Sequence, residues 1–328
     1  MNLRHYVVAI ALIALFANPV LGQESGHNSM PFSEWLQSFK QEARAQGISE
    51  KVLNDAFEGV EPIDTVIELD RKQPEGVITY AKYIANALPQ KRIDKGRDLL
   101  NENRSLLKSV QSKYGVPASV IVALWGIESD FGDHTGNFNV VESLATLAYD
   151  GRRSSFFRKE LLQALTIIEH ADITAEDMSG SWAGAMGQCQ FMPSTYINHA
   201  VDHDGDGKRD IWFTLPDVFA SIANYLSSLG WDPSEGLGVA VELPEHFNRQ
   251  LANINQSKSL KEWRKLGVKI PDSPKIADEE NNVFLINVGK NQEEKFFIIT
   301  ANYKRLLIWN RSRYFASAVT LLADQLEE

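Results

Sequence analysis

The sequence holds a single cysteine, Cys189. One thiol cannot close an internal disulfide, so the fold must rely on a packed core or a bound metal. A nucleophilic role has little support either, because Cys189 sits in a Gly/Gln-rich stretch with no histidine close in sequence. No long basic run occurs, and the formal net charge is −10. The chain therefore lacks the electrostatic footprint of a nucleic-acid-binding protein. Net charge does not choose among other substrates, since an acidic enzyme acts on an anionic polymer wherever its groove is locally neutral or basic. Internal repeats and low-complexity tracts are missing as well.

Long apolar segments are absent except at the start of the chain. Arg4 and His5 precede an apolar run over residues 6–17, Pro19 breaks it, and Val20, Leu21 and Gly22 supply small or medium residues where a signal peptidase cuts. This pattern is that of a secretory signal peptide over residues 1–22. The run falls short of the ~20 residues of a membrane-spanning helix, although an uncleaved anchor is the alternative. Gln23 stands where a lipoprotein would carry cysteine, so no lipid anchor is expected. The expectation is a periplasmic protein with no stable membrane anchor once the signal is removed.

What is present is an ordinary globular composition, 44% hydrophobic and 23% charged over 328 residues. That length suits one large domain or two to three ordinary ones. Residues 31–114 read mostly as helix. Phe32, Trp35, Leu36 and Phe39 recur at helical spacing, and Ser49 is placed to cap a helix carrying Val52, Leu53, Ala56 and Phe57. Residues 99–114 read as one long helix closed by Gly115. Pro117 suits the first turn of the next helix, which carries a stripe of Val120, Leu124 and Ile127 and should stop near Gly132. Further helices are expected over 140–149, 156–170, 214–229 (ended by Gly230) and 314–326. Residues 179–193 are Gly-rich and irregular. Residues 283–288 and 296–300 are β-prone and read as a hairpin. The expected class is mainly α (α+β). Its parts would be an N-terminal helical segment at 23–113, a core at 114–232 and a C-terminal segment at 233–328 with the hairpin and a closing helix.

Glu128 lies near the end of a helix, with Leu124 and Trp125 four and three residues before it on the same face. Apolar surroundings disfavour the charged carboxylate and raise its pKa. A carboxyl kept neutral near pH 7 can protonate a leaving glycosidic oxygen. For a glutamate taken alone, a solvated helix end is the ordinary situation; its downstream company shifts that reading. Residues 181–187 (Ser-Trp-Ala-Gly-Ala-Met-Gly) precede Gln190-Phe191-Met192-Pro193-Ser194. Small residues let backbone come close to a ligand. Ser181 and Gln190 offer a hydroxyl and an amide to sugar hydroxyls and N-acetyl groups. A tight structural loop without a ligand is the alternative.

Taken together, Glu-Ser-Asp-Phe-Gly at 128–132, Gly-Ala-Met-Gly at 184–187 and Gln-Phe-Met-Pro-Ser at 190–194 resemble the lytic murein transglycosylases of the B type. The likeness is dense over 114–231 and looser over 80–318. It implies a lysozyme-like catalytic core with Glu128 as the single acid/base. It places Ser181 and Gln190 along a glycan groove near that residue. It further implies a groove tyrosine at Tyr225, a C-terminal wall of Asn310 and Tyr314, and an N-terminal wall residue at Tyr83. Core packing is the alternative for Tyr225. Two positions depart from the family pattern: Trp309, where the family often carries Tyr, and Cys189, where it often carries Gly.

The stretch Asp202-His203-Asp204-Gly205-Asp206-Gly207 puts acids at loop positions 1, 3 and 5 and glycine at 6, the opening of an EF-hand loop for Ca²⁺. Lys208 would lend its carbonyl at position 7. Position 12 is Phe213 rather than Glu, so Asp217 is the expected substitute in a longer loop over 202–217. The resembling family carries such an atypical loop. Asp217 completing a capping box with Thr214, or a plain acidic turn, are the alternatives. A structural Ca²⁺ is expected, and no organic cofactor.

Ordinary glycosidases place two carboxylates across the scissile bond. Asp130 and Asp133 lie near Glu128 in sequence, yet neither has a clear motif role. The resemblance implies substrate assistance instead. Glu128 would protonate the oxygen between N-acetylmuramic acid and N-acetylglucosamine, then take the proton of the muramyl 6-hydroxyl as a 1,6-anhydro ring closes. The expected partner is the peptidoglycan glycan strand. Alternatives are a hydrolytic muramidase using Asp130 or Asp133, and a non-catalytic Ca²⁺-dependent glycan-binding protein.

Overall fold

The computed structural model describes residues 30–72, 78–272, 276, 278–289 and 293–327. The expected signal peptide at 1–22 lies outside these residues. The first helices are α1 (Phe32–Ala45), α2 (Glu50–Ala56), α3 (Asp64–Arg71), α4 (Tyr80–Ala87), α5 (Gln90–Glu102), α6 (Arg104–Tyr114) and α7 (Ala118–Ser129). Then come α8 (Val140–Asp150), α9 (Ser154–Glu169), α10 (Pro193–His199), α11 (Leu215–Ser228), α12 (Leu260–Lys265), α13 (Ala301–Trp309) and α14 (Arg313–Glu327). The strands are β1 (Phe138–Asn139), β2 (Ser179–Gly180), β3 (Gly238–Val241), β4 (Ser257–Ser259), β5 (Asn282–Asn287) and β6 (Phe296–Ile299). The class is mainly α (α+β), as expected.

The chain divides into two compact units. The described residues of the first are 30–72 and 128–224. Helix α1 buries Trp35, Phe39 and Ala43, the face its spacing announced. Ser49 caps α2 by accepting the Val52 N–H at 3.3 Å. Helices α8 and α9 make the main pairing, and α9 also packs on α2 and α10. Strands β1 and β2 form a two-residue antiparallel ladder, Phe138 opposite Gly180.

The second unit takes up the described residues from 78–127 and from 225 onward. Its sheet runs β3-β6-β5-β4, all antiparallel. The expected hairpin is its centre, β5–β6. The flanking β3 and β4 are four and three residues long, too short for an alternation pattern to register. Trp263, Leu260, Leu285 and Ile298 are fully buried beneath the sheet. Helices α4, α5 and α13 pack on α14.

Two helix expectations need correction. The single helix over 99–114 is two helices, α5 and α6, broken at Asn103. There the backbone turns to φ −98° and ψ 14°, and the Asn103 side chain folds back to donate to the Leu99 carbonyl at 2.9 Å beside its own backbone N–H at 3.0 Å, a local bond that asparagine offers. The narrow stripe read on α7 is also wrong. Val120 through Trp125 are all buried, while Ile127 is only half-buried. A helix that is apolar all round is a core helix. Among the described residues no helix is long and apolar enough to cross a membrane.

Candidate active site

Glu128 stands in the last turn of α7 and is 5% exposed. The chain then leaves the helix abruptly. Asp130, Phe131 and Gly132 take φ of 52°, 62° and 85°. Left-handed backbone costs an ordinary residue roughly 1–2 kcal/mol, and such strain gathers at functional sites. The Ser129 hydroxyl accepts the Gly132 N–H at 3.1 Å, and the Ser129 carbonyl accepts the His134 N–H at 2.8 Å.

From this turn the chain runs past Gly136 into β1, whose partner β2 ends immediately before Ser181. A Cβ on Gly136 would fall 2.0 Å from the Gly180 carbonyl oxygen and 2.6 Å from the Ser181 nitrogen. The loop after Glu128 and the Gly-rich loop thus touch backbone to backbone, which only glycine allows. Within the Gly-rich loop the Ser181 N–H donates to the Ala185 carbonyl at 2.8 Å, and the Ser181 hydroxyl accepts the Ala185 N–H at 3.0 Å. Gln190, at φ 50°, spends its amide donors on the carbonyls of Thr135 (2.9 Å) and Gly187 (2.8 Å). The Glu128 motif therefore meets, in the first unit, the two adjoining motifs that lie well downstream of it in sequence.

Two residues here were missed by sequence reasoning. Gln188 is 9% exposed; its backbone N–H donates to the Ile211 carbonyl (2.8 Å) and its amide to the Trp212 carbonyl (2.7 Å). Glu160 of α9 is 5% exposed and accepts both the backbone N–H (2.9 Å) and the hydroxyl (2.8 Å) of Ser194 in the first turn of α10. Burial pushes the Glu160 carboxyl above its ordinary range, against the pull of the Ser194 bonds. Neither had a local signal, since each partner lies more than twenty residues away along the chain. Cys189 is fully buried, with its thiol 3.5 Å from the Val218 carbonyl. Burial, then the charges of Glu128 and Asp217, push the thiol well up, so no nucleophilic thiolate is available.

The remaining expected glycan residues belong to the second unit. Tyr83 and Tyr314 pack with ring centroids 5.4 Å apart, and Tyr80 joins the same ring at 5.3 Å. Tyr225 and Trp309 lie 5.0 Å apart at 31°, and burial raises the Tyr225 phenol. Asn310, just past α13, is 9% exposed and accepts the Ser312 N–H at 3.0 Å.

In the acidic loop, oxygens of Asp202, Asp204 and Asp217 lie within 4.8 Å of one another. Asp217 is 0% exposed and accepts the N–H groups of His203 (2.7 Å) and Asp210 (2.8 Å). Burial pushes its carboxyl up, those two bonds pull it down, and Asp204 and Asp202 push it up again. Converging carboxylate oxygens are the donor set of a hard cation. Asp206 sits outside this cluster and accepts the Lys208 N–H at 2.8 Å. The capping-box alternative for Asp217 is overturned. Asp217 gives its two oxygens to the His203 and Asp210 N–H groups, while Asp210 shapes the turn before α11, accepting the N–H groups of Trp212 (2.8 Å) and Phe213 (2.9 Å) and the Thr214 hydroxyl (2.9 Å). Phe213, at loop position 12, is 71% exposed.

A buried glutamate ending a core helix beside a Gly-rich, amide-bearing loop, in a mainly helical chain, defines the lysozyme-like class of glycan-cleaving enzymes. The chain matches the Transglycosylase SLT domain over residues 31–324 and belongs to that family. It is 26% identical over 293 residues to membrane-bound lytic murein transglycosylase B of Escherichia coli (strain K12), covering 85% of this chain and 78% of the relative. The structure is similar to SltB3 from Pseudomonas aeruginosa in complex with NAG-NAM-pentapeptide, at 41% identity and TM-score 0.86, covering 91% of this chain and 80% of that one. It is also similar to the soluble lytic transglycosylase SltB1 from Pseudomonas aeruginosa, at 29% identity and TM-score 0.78, covering 89% and 98%. The chain is an enzyme, a lytic murein transglycosylase acting on peptidoglycan.

Proposed function

We propose that the enzyme works in the periplasm and cleaves the β-1,4 bond between N-acetylmuramic acid and N-acetylglucosamine without water, leaving 1,6-anhydromuramyl ends. The observation that carries this reading is the burial of one carboxyl, Glu128, immediately before the strained turn that leads to the Gly-rich loop. Burial disfavours the ionised form, so Glu128 starts as the acid and protonates the leaving glycosidic oxygen. The muramyl N-acetyl oxygen stabilises the cationic carbon as the bond breaks. The ionised Glu128 then accepts the proton of the muramyl 6-hydroxyl, whose oxygen closes the ring and restores the acid. Proton count is conserved and no second carboxylate is needed. A relative at 41% identity has been solved with NAG-anhNAM-pentapeptide, which is the kind of end this chemistry produces.

Ser181 and Gln190 in the first unit, and Tyr83, Tyr225, Asn310 and Tyr314 in the second, are the proposed glycan contacts. The proposed cation is Ca²⁺, held by Asp202, Asp204 and Asp217 with Asp206 and the Lys208 carbonyl, in a structural role. Residues 114–232 are the proposed catalytic core, flanked by 23–113 and 233–328. The apolar N-terminal run followed by Gln23 supports export without a lipid anchor. Mass spectrometry of digested sacculi tests the reaction. Muropeptides lighter by one water than reducing-end products are expected; reducing ends would mean hydrolysis, with Asp130 or Asp133 as second carboxylate.

A further inference from the structure

We infer that Gln188 is a positioning residue for this reaction: its carboxamide wedges the turn after Glu128 against residues 211 and 212, and so sets where the Glu128 carboxyl stands. The inference rests on Glu128 being the acid of the reaction.

Gln188 is tied twice to one neighbour. Its main chain donates to Ile211 at 2.8 Å and its side-chain nitrogen donates to Trp212 at 2.7 Å. Gly187 tightens the same joint, since a Cβ there would lie 2.6 Å from the Ile211 carbonyl oxygen. The other end of the carboxamide fills the space where residue 132 would carry a side chain. A Cβ on Gly132 would fall 2.5 Å from Oε1 and 2.9 Å from Cδ of Gln188.

The turn it abuts has three successive residues in the left-handed region. Strained backbone of this kind persists only where its surroundings over-determine it. Gln188 is a nearly buried polar side chain pressed on that turn. Glu128 is two residues before the first strained position. If the turn relaxes, the last turn of α7 shifts and the carboxyl moves toward water. Misplacement by about 1 Å costs on the order of 10²-fold in rate.

The test compares Gln188→Met, which keeps the length and loses the amide, with the parent enzyme. Expected is a kcat/KM lowered about 10- to 100-fold, with the Kd for a short uncleaved muropeptide within about twofold. The alkaline limb of the pH profile should move to lower pH, because water at the carboxyl relieves the burial that disfavours its ionised form. Gln188→Asn keeps a carboxamide on a shorter stem. It gives a smaller shift in the same direction, and it serves if the Met variant does not fold. A parent-like kcat/KM and limb in the folded variant overturns the inference. So does lost activity with an unmoved limb and a matching fall in Tm, which marks a structural role alone. Glu128→Gln is assayed alongside: if it stays active, the reading of Glu128 fails instead.

Discussion

A carboxyl that gives up a proton and later takes one back needs surroundings that tolerate both states. Glu128, the proposed acid/base, is buried at the end of a core helix, and burial tunes its neighbourhood as well. Cys189 shows this directly: its thiol is pushed up by burial, then by the carboxylates of Glu128 and Asp217. It should stay protonated near neutral pH. The folded enzyme is expected to resist maleimide at about pH 7 while the guanidinium-unfolded chain reacts fully; rapid labelling of the folded form would contradict this. Ser181, a proposed glycan contact, is a second case: its hydroxyl accepts a loop N–H at 3.0 Å and so shapes the loop. Ser181→Ala should cost about 1 kcal/mol, a fall in Tm of roughly 2–4 °C. An unchanged melt would show that the bond contributes nothing.

Elements are joined here by side chains that sequence patterns do not reveal. Glu160 of α9 holds the first turn of α10, and its folded pKa lies above the ordinary value because of burial. Ionising it therefore costs stability above that folded pKa, and the cost is relieved as pH falls through it. The Ser194 bonds favour the ionised form. Ser194→Ala is thus expected to destabilise by about 1.5–3 kcal/mol near pH 7.5 and by clearly less near pH 4, measured by denaturant melts at both. Equal losses would contradict the assignment. Much else at this scale was legible. Ser49 capped its helix, Gly115 closed α6 at φ 75°, and the β5–β6 hairpin formed where β-branched and aromatic runs flank a glycine. Local chemistry decides such features. The break at Asn103 was hidden because asparagine is merely neutral within a helix until its side chain turns back. The all-round burial of α7, the short strands, and the Gln188 and Glu160 contacts depend on tertiary neighbours. Around the motifs, the supporting contacts of Gln188 and Glu160 were not readable, because their partners are distant in sequence.

At the scale of the whole molecule, the family match runs from 31 to 324 and takes in both compact units. The acidic loop bears on global stability, because Asp217 is buried against two further carboxylates that repel it, a repulsion that the proposed cation would relieve. Calcium at about 100 times its Kd should add about 2.7 kcal/mol, seen as a Tm several degrees above that in chelator. Asp204→Asn should lose most of that response, and equal melts with and without calcium would rule out the site. The central claim is narrower: one carboxyl performs both proton transfers. Release of soluble muropeptides from sacculi by folded Glu128→Gln tests it most directly. A fall of at least about 10³-fold, with Asp130→Asn and Asp133→Asn near the parent rate, is the expected result. Turnover that survives in Glu128→Gln would contradict the account.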